Sequence, residues 1–184
     1  MIYLPAYYFI SDFNKSEIIG LNKNINIIYR NYKDPIKEHV IRKIRDECKK
    51  SGKKFFLSNN LHLAMKLKLD GVYIPSFNKS LNIRYKSKNN FKILGSAHNI
   101  REIRIKEKQG VNFIFLSPVF KVRKQTKFLG IEKFNLLSML TKKKIIALGG
   151  INKNNLNSIK LLKCQGYSGI TYFKNMKNLN DLRK

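Results

Sequence analysis

The sequence predicts a small (β/α)8 TIM barrel, an α/β fold in which eight parallel strands alternate with helices. Eight short apolar runs, rich in β-branched and aromatic residues, recur along the chain, and amphipathic helical stretches separate most of them. Several runs are apolar on both faces, which is typical of buried parallel strands. This number of strand and helix cycles favours a closed barrel over an open doubly wound sheet.

The predicted strands leave room for a helix in most connections. They are Tyr7 to Ile10, Ile25 to Tyr29, Lys54 to Leu57, Gly71 to Ile74, Lys92 to Gly95, Asn112 to Leu116, Lys144 to Leu148 and Gly169 to Phe173. Two connections are reduced: residues 14–24 hold a short helix at most, and residues 78–90 show little periodicity. We therefore expect residues 1–184 to form one small barrel domain.

Start signals and apolar stripes mark the helices. Asp34 and Pro35 fit an N-cap and a first helical position. The stripe behind them repeats every fourth residue: Ile36, Val40, Ile44 and Cys48. Asn99 with Glu102 resembles a capping box before another helix. A later stripe consists of Leu156, Ile159 and Leu162.

The chain is strongly basic. Lys and Arg outnumber Asp and Glu by 38 to 11, giving a formal charge of +27. Such a balance ordinarily indicates a polyanionic partner. The lysines are spread over the whole chain among abundant Asn and Ile, which favours a solvated basic surface over a dedicated nucleic-acid face.

The cysteines and the N-terminus bear on location. Cys48 and Cys164 lie far apart without Cys-x-x-Cys spacing, so the sequence indicates neither a zinc site nor a disulfide framework. The apolar N-terminal run has no basic region or cleavage site, and no run reaches the ~18 residues of a membrane span. We therefore expect a cytoplasmic protein without a membrane partner.

In such a barrel the chemistry lies where strands end and the next helices begin. The seventh predicted strand is followed by Gly149 and Gly150, which allow close approach of the backbone to a ligand. Asn152 then caps a helix whose free N–H groups attract an anion. Together with Gly169 and Ile170 at the eighth strand, these residues predict a phosphate site, although a plain tight turn explains the glycine pair as well.

Other strand ends carry polar side chains. Arg30 follows the second strand, where it either grips a phosphate or diphosphate or belongs to a solvated loop. Ser96 and His98 follow the fifth strand, and a histidine there is suited to acid–base chemistry. Cations between Lys121 and Lys127 populate a long loop that is suited to closing over an anionic substrate. His39 and His62 fall inside predicted helices and are interpreted as structural or surface residues.

Several stretches follow a known family pattern in order and spacing: YFISD, FFLSNNLHLAMKLKLDGVYI, GSAHN, SPVF, and ALGGIN with GYSGITYF. Together, from Tyr8 to about Phe173, they resemble the thiamine phosphate synthase family, including its thiazole tautomerase (TenI-type) branch. The resemblance implies an enzyme that joins hydroxymethylpyrimidine diphosphate to thiazole phosphate, with Mg2+, and releases diphosphate. Its partners would be these small phosphate and diphosphate substrates.

The resemblance also assigns roles. It places Arg30, Ser96 and Lys127 at the diphosphate, and the Gly149 and Gly150 backbone at the thiazole phosphate. In the tautomerase branch the base would be His98. That alternative stays open, as does a non-catalytic binder of phosphate metabolites or nucleic acid. The oligomeric state, including a homo-oligomer, is also open.

The sequence departs from the family at the metal site. Where the family carries aspartates that bind Mg2+, this chain has Ser58-Asn59 and Ser76-Phe77-Asn78. Asn59 and Asn78 are then the expected metal ligands, but neutral amides suit Mg2+ less well than carboxylates. Alternatively, basic loop residues neutralise the diphosphate in place of a metal.

Overall fold

Eight parallel strands close into one barrel in the computed structural model, which describes residues 4–82, 90–122 and 126–169. The strands are β1 (Ala6–Ile10), β2 (Ile25–Tyr29), β3 (Phe55–Ser58), β4 (Gly71–Ile74), β5 (Lys92–Ala97), β6 (Phe113–Leu116), β7 (Lys144–Leu148) and β8 (Tyr167–Ser168). Each strand pairs with the next, and β8 pairs with β1 at Ala6↔Tyr167 and Tyr7↔Ser168. The predicted fold class is confirmed.

Helices cover the outside of the barrel. They are α1 (Lys15–Gly20), α2 (Glu38–Lys50), α3 (Leu61–Lys66), α4 (Ile100–Lys108), α5 (Gly130–Met139) and a 3₁₀ helix (Lys153–Leu161). The short α1 fits the reduced first connection. Residues 75–82 and 90–91, the described part of the connection after β4, contain no helix. None of the helices in the described ranges is long and apolar enough to cross a membrane.

The predicted start of α2 is wrong. The helix begins at Glu38. Lys37 occupies the N-cap position, and its side chain makes no capping hydrogen bond. Asp34 instead accepts a hydrogen bond from Asn31 Nδ2 at 3.0 Å. The Asp-Pro signal therefore belongs to a turn between β2 and α2, because its carboxylate is already engaged within that turn.

The predicted helix over Leu156, Ile159 and Leu162 is a 3₁₀ helix. Its predicted N-cap is confirmed, because Asn152 Oδ1 accepts from the backbone of Asn154 and Asn155 Oδ1 accepts from Asn152 N. The cap at Asn99 is also confirmed, with Asn99 Oδ1 accepting from Glu102 N at 3.0 Å.

The start of the eighth strand was predicted two residues late. β8 begins at Tyr167, and Gly169 follows it; residues 170–173 of the predicted strand lie outside the described residues. The Ser168 hydroxyl donates to Tyr7 O at 2.7 Å, and Tyr167 N donates to Pro5 O at 3.1 Å. A polar residue therefore continues the strand because its hydroxyl is satisfied where the barrel closes.

Two apolar cores hold the barrel together. The outer core lies between strands and helices and includes Cys48, which is 1% exposed and packs between α2 and the sheet as predicted. The inner core fills the lumen with aromatic rings. The Phe115 ring meets Tyr7 and Tyr73 edge to face at centroid distances of 5.0 and 5.4 Å. Such edge-to-face pairs stabilise beyond the area they bury.

Candidate functional site

The carboxyl ends of the strands form the rim of the barrel, where Arg30 and Ser96 meet at Tyr73. Arg30 follows β2, with its guanidinium carbon 4.5 Å from the centroid of the Phe9 ring. Ser96 was predicted to follow a strand ending at Gly95, but it is a buried residue of β5. Burial raises the pKa of Tyr73 to about 12, and hydrogen bonds to Ser96 and Arg30 act in the opposite direction. Ser96 continues the strand because its hydroxyl has this partner.

An exposed aromatic pair stands on the same rim. The Tyr32 and Phe77 rings meet edge to face at 5.3 Å, and the two residues are 51% and 60% exposed. The Tyr32 hydroxyl shares a 2.7 Å hydrogen bond with Ser58 Oγ at the end of β3. Neither Tyr32 nor Phe77 was predicted from the sequence as a site residue. The available signal was an aromatic side chain in each of two loops that follow strands, where no core contact is expected.

The two amides predicted as metal ligands hydrogen-bond to each other. Asn78 Nδ2 donates to Asn59 Oδ1 at 2.7 Å. Mg2+ prefers anionic oxygen ligands, and both candidates are neutral. Across the described ranges, no group of three or more His, Cys, Asp or Glu side chains is placed to hold a metal ion. These residues do not fit the Mg2+ site that the family resemblance implies.

A buried lysine fixes the loop that carries Asn78. Lys106 on α4 is fully buried, and its Nζ donates to Pro75 O at 2.8 Å, Asn78 O at 2.8 Å and Gln109 Oε1 at 2.9 Å. Gln109 Nε2 donates in turn to Asn78 O and Ser80 O, each at 2.9 Å. Burial lowers the pKa of Lys106 to about 8. Four hydrogen bonds thus tie residues 75–80 to α4 and its C-cap.

His98 lies on the rim as predicted, and its imidazole pairs with Glu102. The distance from His98 Nδ1 to Glu102 Oε2 is 2.8 Å, and the same oxygen accepts from His98 N at 2.8 Å. The histidine side chain is 42% exposed. A carboxylate at Nδ1 favours the tautomer with the proton on that nitrogen, which leaves Nε2 as a proton acceptor.

Gly149 and Gly150 lie against the loop that follows β6. Their φ angles are 91° and 73°, a region that favours glycine. A Cβ on Gly149 would lie 2.8 Å from Pro118 Cβ, and one on Gly150 would lie 2.5 Å from Phe120 O. Phe120 N also donates to Gly149 O at 3.1 Å. Close packing of two loops therefore requires both glycines, whatever ligand they bind.

The same turn presents free backbone donors. Among the described residues, no oxygen accepts a hydrogen bond from Gly150 N or Ile151 N. Gly150 O accepts from Asn155 Nδ2 at 2.8 Å, which fixes the turn on the N-terminus of the 3₁₀ helix. Gly169 is buried directly behind β8, next to β7 in the barrel. The fourth residue of the predicted phosphate site, Ile170, lies outside the described residues.

Lys127 is exposed in the connection between β6 and α5. Leu129 N donates to Pro118 O at 2.9 Å, and Gly130 N donates to Val119 O at 3.0 Å. These hydrogen bonds join the end of the loop to its beginning, and the two segments lie beside Gly149. Residues 123–125 of the basic loop lie outside the described residues. The role predicted for Lys127 stays a prediction.

A model of the family described as "Thiamine monophosphate synthase" matches residues 23–173, well over half of the chain. The chain belongs to the thiamine monophosphate synthase family. The resemblance found from the motifs is thereby confirmed.

Individual relatives of the family cover the barrel but are longer than this chain. The thiamine-phosphate synthase of Prochlorococcus marinus subsp. pastoris is 33% identical over 154 residues, which are 82% of this chain and 42% of that protein. Another Prochlorococcus marinus thiamine-phosphate synthase is 29% identical over 152 residues, 79% of this chain and 44% of that protein. The chain therefore spans less than half the length of these two relatives.

A solved structure of the family shares the fold. Thiamine phosphate pyrophosphorylase from Pyrococcus furiosus superposes with a TM-score of 0.78 over 97% of this chain and 95% of that one, at 18% identity. At this identity the likeness supports the barrel architecture alone.

Proposed function

We propose that this barrel is a thiamine phosphate synthase that joins hydroxymethylpyrimidine diphosphate to thiazole phosphate and releases diphosphate. The observation that carries the proposal is the cluster of Arg30, Ser96 and Tyr73 on the same rim as the N–H groups of Gly150 and Ile151, from which no oxygen of the described residues accepts a hydrogen bond. Two separate anion-binding groups at one rim suit a reaction between two phosphorylated substrates. Family membership and the names of the relatives support the same activity.

In this proposal the cationic side chains stabilise the departing diphosphate. Negative charge grows on the leaving oxygen as the bond to carbon breaks, and fixed donors aimed at that oxygen lower the barrier. Arg30 is held over the Phe9 ring and near Tyr73, so its guanidinium is already oriented. Lys127, on the exposed loop beside the glycine turn, adds a second cation when the loop meets the substrate.

The exposed Tyr32 and Phe77 rings supply an apolar surface for the pyrimidine ring. Heteroaromatic rings pack favourably against aromatic side chains. The Tyr32 hydroxyl is hydrogen-bonded to Ser58. Phe77 directly precedes Asn78, whose carbonyl accepts a hydrogen bond from Lys106. Hydrogen bonds therefore fix the loops that carry both rings. Tyr32 lies near Arg30, which would place the attached diphosphate at the guanidinium.

In this proposal no step of the reaction passes through a metal ion. Thiamine phosphate synthases are expected to use Mg2+, but the side chains of Asn59 and Asn78 are neutral and hydrogen-bonded to each other. Without carboxylates at positions 59 and 78, neutralising the diphosphate falls to Arg30, Lys127 and the strongly basic surroundings. We therefore infer that turnover depends weakly on Mg2+.

The decisive experiment incubates the folded protein with both substrates, with and without Mg2+, and measures thiamine phosphate and diphosphate. Arg30→Met is expected to lower kcat strongly, whereas Lys108→Met, which removes one exposed charge from α4, is expected to leave it unchanged. Binding of thiazole phosphate without any product would leave a non-catalytic phosphate binder as the function. Failure to bind either substrate would overturn the whole proposal.

One observation favours the thiazole tautomerase as a second candidate. The pairing of His98 Nδ1 with Glu102 leaves Nε2 suited to accept a proton. That activity needs neither a metal nor a diphosphate. Under this alternative, His98→Ala abolishes isomerisation of the thiazole carboxylate phosphate while thiazole phosphate binding persists. Synthase activity that is unchanged in His98→Ala would assign the histidine to the cap of α4.

The proposed substrates make small phosphorylated molecules the main partners of the rim. We infer a cytoplasmic location from the unpaired cysteines and the expected substrates; both cysteines are free in the structure.

A further inference from the structure

A basic groove lies at the end of the barrel opposite the rim. It is a cavity of about 610 Å3 between the C-terminal half of α2 and the loops that lead into β3 and β4. Because those loops precede the strands, the groove is remote from the strand ends that form the proposed synthase site. Its cationic side chains are Arg45, Lys49, Lys53, Lys54 and Lys68.

The groove also has two acidic side chains, Asp46 and Asp70. Asp46 pairs with Arg45 at 2.8 Å. Asp70 Oδ2 accepts a hydrogen bond from Phe55 N at 2.9 Å, which ties the start of β3 to the end of the α3–β4 loop. Within the described residues, neither carboxylate forms an ion pair with a lysine of the groove. Five cationic side chains against two carboxylates leave the groove with an excess of positive charge.

Lys53 is unlike the other lysines of the groove because it is only 6% exposed. In the described part of the chain, no oxygen accepts a hydrogen bond from its Nζ. Burial lowers the pKa of Lys53. The Nζ atom itself reaches the surface of the cavity, since no fully buried side-chain nitrogen or oxygen of the described residues lacks a hydrogen-bond partner. Lys106 shows the contrast, since it is also buried but has three acceptors.

We propose that the basic groove binds a phosphorylated small molecule, with a phosphate oxygen accepting a hydrogen bond from Lys53 Nζ. The volume is that of a site for a small organic ligand. A nucleic-acid strand would be held by exposed cations along a surface, whereas the stem of Lys53 is buried and its ammonium faces a cavity. The flanking lysines would balance the remaining charge of the phosphate. This site does not depend on the proposed synthase activity.

Thermal unfolding in increasing inorganic phosphate tests the proposal. The Tm of the unsubstituted chain is expected to rise by roughly 5–10 °C at a hundredfold excess over Kd. Lys53→Met is expected to lose the part of that rise that arises in the groove. Without phosphate, Lys53→Met is expected to be about as stable as the unsubstituted chain, because methionine keeps most of the buried apolar stem and removes an ammonium that donates no hydrogen bond to an oxygen of the described residues.

Lys50→Met is the matched control. Lys50 has the same charge and lies on α2, but its side chain is 74% exposed and it does not line the groove. Its phosphate response is expected to equal that of the unsubstituted chain. Phosphate binding at the rim contributes equally to all three proteins. An identical phosphate response in Lys53→Met would overturn the proposal.

A second measurement locates the phosphate without any substitution. In a 15N-edited NMR titration of the unsubstituted chain, saturable shifts are expected at the amides of Gly52, Lys53 and Lys54. Shifts at Gly150 and Ile151 would report the rim separately. Saturation at the rim with no change at residues 52–54 would show that no phosphate enters the groove, even if the Lys53 variant failed to fold.

Discussion

Replacing Lys106 with methionine is expected to destabilise the loop that carries Phe77 and Asn78. The substitution keeps most of the apolar stem but removes the terminal ammonium and all three hydrogen bonds that it donates. Asn78 O keeps its bond from Gln109 Nε2, so Pro75 O and Gln109 Oε1 are the acceptors left without this donor. Each unsatisfied buried group costs about 1–3 kcal/mol, and relief of the buried charge offsets part of the sum. We expect a net loss of about 2–4 kcal/mol.

The assay is thermal unfolding combined with hydrogen exchange. For a chain of this size, a loss of 2–4 kcal/mol lowers Tm by roughly 5–12 °C. Amides of residues 75–82 are expected to exchange faster, and KM for the pyrimidine diphosphate is expected to rise more than kcat falls. Lys108→Met, on the exposed face of the same helix, should change none of these quantities. An unchanged Tm with unchanged exchange in residues 75–82 would refute the reasoning.

Three further predictions concern the metal site, the glycine turn and pH. The double variant Asn59→Asp with Asn78→Asp should turn over faster when Mg2+ is added, as measured by diphosphate release. Equal rates with and without Mg2+ in this variant would contradict our interpretation of the amide pair. Gly150→Ala should cost about 3 kcal/mol or more in chemical denaturation, because φ is 73° and the new Cβ would meet Phe120 O. The control Gly52→Ala, with φ of 64° and open space around the site, should lower the free energy of unfolding by only about 1–2 kcal/mol. Equal losses in the two variants would show that contact with Phe120 does not determine the cost at Gly150. Because the native pKa of Lys106 is about 8 and the unfolded value is near 10.5, the unfolded chain binds more protons between these values. The free energy of unfolding should therefore rise with pH there, relative to Lys106→Met, by up to about 1.4 kcal/mol per pH unit, and parallel pH curves would argue against it.

The strands show what a local pattern predicts. β2, β4 and β7 have the predicted bounds, because each apolar run ends where polar or turn-forming residues begin. β5 extends past Gly95 and β8 starts before Gly169, in each case because a serine is buried in the barrel. The Ser168 hydroxyl bonds to Tyr7, 161 positions away in the sequence, so no local pattern could reveal it.

The rim was predicted in part. The alternation of strands and helices places Arg30, Ser96 and Gly150 at one end of the barrel. Their common location could therefore be predicted from the topology alone. Lys106 was not foreseen, because a lysine on an amphipathic helix normally indicates the solvent-facing side. Its burial depends on the carbonyls of the loop after β4, whose path has no periodic signal. The hydrogen bond between Asn59 and Asn78 could not be predicted either, because the sequence shows two amides but not that they are in contact.

The aromatic lumen gives this barrel a built-in optical reporter. The chain contains no tryptophan, so its near-ultraviolet spectrum comes from tyrosine and phenylalanine. Burial raises the pKa of Tyr7 and of Tyr73 to about 12, so these phenols ionise later than solvent-exposed ones in an alkaline titration. The late appearance of tyrosinate absorbance therefore tells whether the interior is sealed, with no label and no substrate.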